Sequence, residues 1–111
     1  MAIYKNITTG ATTDLITKDS GVSGRISKIS VSNVDSLTAD NVCVFLEDAA
    51  TSTSTNAGNA KYYFIKDVDI PPGSTLILDD NLSFNSSKFS LRVITQNDSA
   101  GGTPSISIII Q

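Results

Sequence analysis

The sequence predicts an all-β fold: a single antiparallel β-sandwich over residues 1–111, jelly-roll-like, with an immunoglobulin-like sandwich as the runner-up. Three observations predict it. Short apolar segments rich in Val, Ile, Tyr and Phe recur along the chain, separated by Gly, Asn, Asp and Ser turns. No segment repeats its apolar residues at helical spacing. The stretch "VDIPPGSTLILDD" places Pro71, Pro72 and Gly73 between two runs of strand formers. Two successive prolines remove two backbone donors, so no central strand runs through them. Pro72-Gly73 suits the two middle positions of a type II turn.

Eight strands follow in order. "AIYKNIT" (2–8) is the first, and the Thr-rich "TGATT" leads to the second, "TDLITK" (13–18). "DSGVSG" is a loop. In "RISKISVSNV" (25–34) Ile29 and Val31 share a face that Ile26 does not, so the phase slips near Ser27-Lys28. A β-bulge there would restore it. "NVCVFLED" (41–48) is apolar on both faces: Val42, Val44 and Leu46 on one, Cys43 and Phe45 on the other. That pattern fits a central strand, or one whose outer face meets a partner.

The small polar residues of "AATSTSTNAGNA" (49–60) form a loop long for a hairpin. "KYYFIKDVDI" (61–70) and "STLILD" (74–79) flank the Pro-Pro-Gly corner. Asp67 and Asp69 alternate onto one outer face, as on an edge that resists stray pairing. "NLSFNSSK" (81–88) is a connection. "FSLRVITQ" (89–96) alternates as a half-buried strand. "PSISIIIQ" (104–111) closes the chain, with Ile106, Ile108 and Ile110 on one face and Ile109 on the other. A chain of 111 residues fits one domain, able to bury roughly 65% of its unfolded surface.

The catalytic inventory is poor, and no enzyme is predicted. The chain has no histidine, which removes histidine-based triads and zinc sites. Ser and Thr abound, but no nucleophile elbow, phosphate-cradling glycine loop or dinucleotide fingerprint accompanies them. No catalytic residue, cofactor or metal site is assigned. Asp79, Asp80 and Asn81 are the oxygen cluster a calcium site would use; they read as a solvated turn that ends a strand. Tyr62 and Tyr63 are candidate contacts for a partner or a glycan, with core packing as the plainer reading.

Cys43, the single cysteine, reads as a small buried apolar residue, since no neighbouring base would lower its pKa. A net charge of −3 supplies no basic stripe, so no nucleic-acid partner is expected. No apolar run approaches a membrane span, and "MAIYKNITTG" has neither basic nor apolar signal region. Synthesis in a cytoplasm is the expectation.

The chain resembles small β-sandwich virion proteins of tailed bacteriophages, especially those of marine cyanobacteria. The residues that carry the resemblance are "MAIYKNITTGATTDLITK", "GRISKISVSNVDS", "NVCVFLED", "YYFIKDVDIPPGSTLILDD" and "SISIII", in that order. Within them an Ile-Pro-x-Gly turn (Ile70, Pro71, Gly73) leads to Leu76, Leu78 and a D-N-x-x-F stretch of Asp80, Asn81 and Phe84. The resemblance implies a non-enzymatic virion component, a head decoration, neck, tail or fibre protein. It would be made in the host bacterial cytoplasm and dock onto other virion proteins. The alternative is a glycan- or calcium-binding module. A homo-oligomer is expected, a trimer by preference, with Ile109, Cys43 and Phe45 at the subunit contact. Its motive is that each would leave apolar surface in water on the outer face of a lone sandwich.

Overall fold

In this computed structural model the described residues are 3–18, 23–48, 60–79, 82–85, 88–97 and 102–111. They form ten strands: β1 Ile3–Ile7, β2 Thr13–Ile16, β3 Ser23–Ile26, β4 Ile29–Asn33, β5 Asp40–Glu47, β6 Lys61–Ile70, β7 Thr75–Leu78, β8 Leu82–Asn85, β9 Ser90–Asn97 and β10 Ile106–Ile110. The pairing is that of one long folded hairpin. β5 pairs with β6, β4 with β7, β3 with β8, β2 with β9 and β1 with β10, all antiparallel. Rolling that hairpin sets β10 against β4 and β9 against β5. The result is two four-stranded sheets, β1-β10-β4-β7 and β2-β9-β5-β6, with β3-β8 as a small third pair. Sheets of this order, reached by wrapping a hairpin, make a jelly roll. The expected antiparallel sandwich is therefore present, in its jelly-roll form.

The core lies between the two sheets. Ile29, Val31, Ile106, Ile108 and Ile110 from the first face Val42, Val44, Leu91 and Val93 from the second, all at most 1% exposed. Period-two alternation puts them there: β4 and β10 show buried residues at every second position. Each such side chain contributes about 1.5–3 kcal/mol by leaving water.

Two expectations about strands are corrected. The phase slip at Ser27-Lys28 is not a bulge within one strand. The chain ends β3 there and starts β4 in a different sheet. Ser27 and Lys28 both donate to the Gln111 carbonyl (2.7 and 3.2 Å), and Gln111 donates back to Lys28 (2.9 Å). Changing sheets lets Ile26 and Ile29, three residues apart, both be buried. The 81–88 connection also contains a strand, β8, which pairs with β3.

The Pro-Pro-Gly corner is the turn expected. Gly73 has φ 76° and Ser74 donates to the Pro71 carbonyl (3.1 Å), as in a type II turn with Pro72-Gly73 at its centre. Asn33, 1% exposed, anchors the corner: its Nδ2 donates to the carbonyls of Ile70 and Thr38, both at 2.9 Å.

β6 is an edge strand, and its pairing with β5 is irregular. Val42 opposes Val68, Val44 opposes Ile65 and Phe45 opposes Tyr63. Lys66 and Asp67 therefore share the space opposite Cys43, and Phe64 is a second extra residue. Asp67 takes φ 54° to make room. These bulges reset the face alternation, so Phe64 and Ile65 both pack against the core. Tyr62 and Tyr63 are instead left exposed, which corrects the plainer expectation that one of them packs in the core.

Candidate functional site

The outer face of the β1-β10-β4-β7 sheet carries one apolar row. The registers align Tyr4 with Ile109, Ile109 with Ser30 and Ser30 with Ile77. Tyr4 is 69%, Ile109 37% and Ile77 52% exposed. The next row is small and polar: Asn6, Ser107, Ser32 and Thr75. Its members satisfy one another, Ser107 Oγ donating to Asn6 Oδ1 (3.0 Å) and the Ser32 and Thr75 hydroxyls pairing at 2.8 Å. Both rows of this face are uncharged. The second row's hydroxyls are already paired with one another or with Asn6, so they cost little to cover.

The opposite outer face, on β2-β9-β5-β6, is charged and internally closed. Arg92 donates through Nε to Asp14 and through Nη1 to Glu47 (2.6 Å), and Lys61 reaches Glu47 at 3.5 Å. Burial pulls the Arg92 pKa down, but the hydrogen bonds and charges of Asp14 and Glu47 outweigh it and raise it. Phe45 lies under this network. Tyr63 packs on its ring at 5.2 Å between centroids, and Lys61 Nζ sits 5.6 Å from it. Beyond Phe45, the Cys43 thiol donates to Asp67 Oδ1 (3.4 Å) and accepts the Asp67 N–H (3.3 Å). Burial pushes the Cys43 thiol pKa up, and the Asp67 carboxylate adds to that.

These positions sort the expected contact residues. Ile109 stands on the open face as expected. Cys43 and Phe45 point away from the core as expected, but are 9% and 1% exposed, covered within the single chain. Neither offers apolar area to a partner. Tyr62 and Tyr63 oppose Leu46 and Phe45, consecutive residues of β5, so they lie on opposite faces of the edge strand and form no common platform. Tyr62 instead meets Phe89 edge-on at 5.6 Å. Asp80, Asn81 and residues 49–59 lie outside the described residues. Among the described residues no three His, Cys, Asp or Glu side chains gather as metal ligands, and no helix is long and apolar enough to cross a membrane.

A groove at one end of the sandwich is lined by Leu37, Thr38, Asn97, Thr103 and Ser105, among others. The carboxylate beside it, Asp40, is fully buried and accepts from Asn97 Nδ2 (2.9 Å) and the Ser105 N–H (3.0 Å). It ties the start of β5 to the end of β9 and to the residue before β10. Tyr4 and Ile77 are the contact candidates that the sequence reading missed. Ile77 carried a signal, the same two-faced apolar run as Ile109. The long-range register that aligns the row is not written in any local stretch.

No family model matches the chain, and no curated protein matches it. Among solved structures, a chain in the structure of infectious bursal disease virus Gx strain is similar over 99% of this chain and 33% of its own length, at 10% identity and a TM-score of 0.46. A chain from the Gt strain of that virus is similar over 98% and 32%, at 9% identity and a TM-score of 0.42. The present chain thus spans about a third of the length of those two chains. The strand order described above stands on this chain's own pairing.

Proposed function

We propose that this protein is a non-enzymatic structural component of a virus particle that works by self-association and docking. The observation that carries the reading is the exposed Tyr4–Ile109–Ile77 row on an outer sheet face whose two central rows carry no charge. Charged residues close off the other sheet, and its aromatic ring is already covered. Jelly rolls serve in capsid, lectin and cupin domains alike, so the fold alone does not select a role. The sequence resemblance adds the finer part: a tailed-phage head decoration, neck, tail or fibre protein, made in the bacterial cytoplasm and incorporated into the virion.

Ile109 is the centre of the proposed subunit contact. The proposed assembly is a closed cyclic homo-oligomer in which every copy reuses the same patch, a trimer by preference. Other virion proteins are the further partners. Mass spectrometry of purified particles of the virus encoding this chain tests the role. The chain is expected in fixed proportion to the major capsid or tail proteins. Its complete absence from the particle would overturn the reading.

The exposure of Tyr62 and Tyr63 favours one second reading, a glycan-binding module. A glycan array separates the two: binding lost on Tyr62→Ala or Tyr63→Ala would support the module, and an empty array would end it. The calcium version predicts a higher melting temperature in millimolar calcium, and an unchanged one rejects it.

A further inference from the structure

The two sheets have four edges, and three of them are guarded. β1 carries Lys5 opposite the core residue Ile108, a charge on the inward phase of an edge strand. β2 is irregular between Asp14 and Ile16, and its Asp14 is tied to Arg92. β6 carries two bulges and the exposed charges Lys61, Lys66, Asp67 and Asp69. Charges, bulges and inward-pointing lysines are the devices that keep sheet edges from pairing with other chains. The fourth edge, β7, has none of them. Its residues are Thr75, Leu76, Ile77 and Leu78, regular in register against β4.

The backbone direction of β7 follows from its neighbours. Asn33 directs both its N–H and its carbonyl toward the β7 side, donating to Ser74 (3.0 Å) and accepting from Gly73 (2.9 Å). Val34 donates to Ser105 on the opposite side, beside β10. Alternation then turns Val31 and Ile29 toward β7, where they meet Leu76 and Leu78. The N–H and carbonyl groups of Thr75 and Ile77 therefore point outward, along an edge with no further strand among the described residues.

We infer that β7 is the strand through which a second copy of this chain adds, antiparallel about a two-fold axis, with Ile77 opposite Ile77 of the second copy. Side chains of paired residues must share a face, so a two-fold normal to the sheet allows Ile77 to meet its own copy and Leu76 to meet Leu78. In that register Ile77 exchanges both backbone bonds with its copy. Thr75 faces Asp79, so like charges never lie opposite one another. The Pro71-Pro72 corner at one end and Asp79 at the other confine pairing to this short segment. Such a contact closes on itself and does not propagate as a fibre would. It also continues the outer-face row, joining Tyr4, Ile109 and Ile77 of one copy to Ile77, Ile109 and Tyr4 of the next. The inference needs only the fold, not the role proposed above.

The test is made in Ile109→Asp protein, where the face contact is weakened and the edge is read alone. Sedimentation velocity over rising concentration should show a reversible dimer. Amide exchange should show Leu76 and Leu78 protected at every concentration, and Thr75 and Ile77 protected only where the dimer forms. Adding Ile77→Lys should raise the dissociation constant about tenfold or more, since two lysines would then face each other directly. A strict monomer at the highest soluble concentration would overturn the inference. So would a dimer whose Thr75 and Ile77 amides exchange as fast as in the monomer.

Discussion

The Asn33 side-chain amide donates to the Ile70 carbonyl at 2.9 Å, fixing the end of β4 to the last residue before the Pro-Pro-Gly corner. The same amide donates to Thr38, and its Oδ1 accepts the Asp35 N–H (2.9 Å). One buried side chain thus satisfies three backbone groups from two connections.

Asn33→Ala strands those groups. Each buried polar group left unpaired costs about 1–3 kcal/mol, so the variant should lose about 2–4 kcal/mol after local rearrangement. Urea unfolding monitored by circular dichroism should show the midpoint fall with little change in slope. An unchanged midpoint would mean that water replaces the amide.

Gly73→Ala tests the corner itself. No atom lies within 4 Å of an added Cβ, so the cost is conformational alone. At φ 76° an alanine should destabilise the protein by about 1 kcal/mol. Gly73→Val should cost more, because branching at Cβ narrows the left-handed region further. Thermal unfolding of the pair gives the comparison.

Arg92→Met leaves Asp14 and the largely buried Glu47 without their guanidinium. The expected loss is about 1.5–3 kcal/mol, the range for hydrogen bonds to charged groups. Lys61→Met should cost under about 1 kcal/mol, because that ammonium is half exposed and 3.5 Å from Glu47. Equal losses in chemical denaturation would show that the Arg92 hub has no special weight.

Cys43 sets a pH dependence. Its folded pKa lies above the unfolded thiol value of about 8.5. The neutral thiol's contribution is therefore complete below the unfolded pKa and is lost as pH rises through the folded one. Stability should decline in alkaline solution, and Cys43→Ala should remove that part of the decline. Alkylation of the native thiol near neutral pH should be far slower than in urea. Rapid native alkylation would contradict the covered position of Cys43.

Much of the fold was legible because local chemistry agrees with it. Ile106, Ile108 and Ile110 alternate cleanly, and Pro72-Gly73 allows few turns but the one found. The extra pair β3-β8 was not legible: its partners are far apart in sequence, and "NLSFNSSK" carries polar turn residues throughout. The exposure of Tyr62 and Tyr63 was hidden for a related reason. Period-two counting fails across an inserted residue, and nothing local marks Phe64 as the extra one. For the surface, Ile109 was visible as the odd residue of an isoleucine run, whereas Phe45 showed the same pattern yet is covered by Tyr63. An apolar outer position does not by itself say whether the same chain covers it, another chain does, or it faces water.

The claim that the Ile109 face assembles the protein is tested most directly by light scattering during size-exclusion chromatography, on wild type, Ile109→Asp and Ile108→Asp. Ile108 is 1% exposed, so its carboxylate variant should unfold the domain: an unpaired buried charge costs several kcal/mol against a total stability of about 5–15. Ile109 is 37% exposed, and its variant should fold normally. Wild type is expected to run as an oligomer, a trimer by preference, and folded Ile109→Asp as monomer, or as the edge-paired dimer at high concentration. A wild type that stays monomeric at tens of micromolar, or an oligomer that Ile109→Asp leaves intact, would contradict the account.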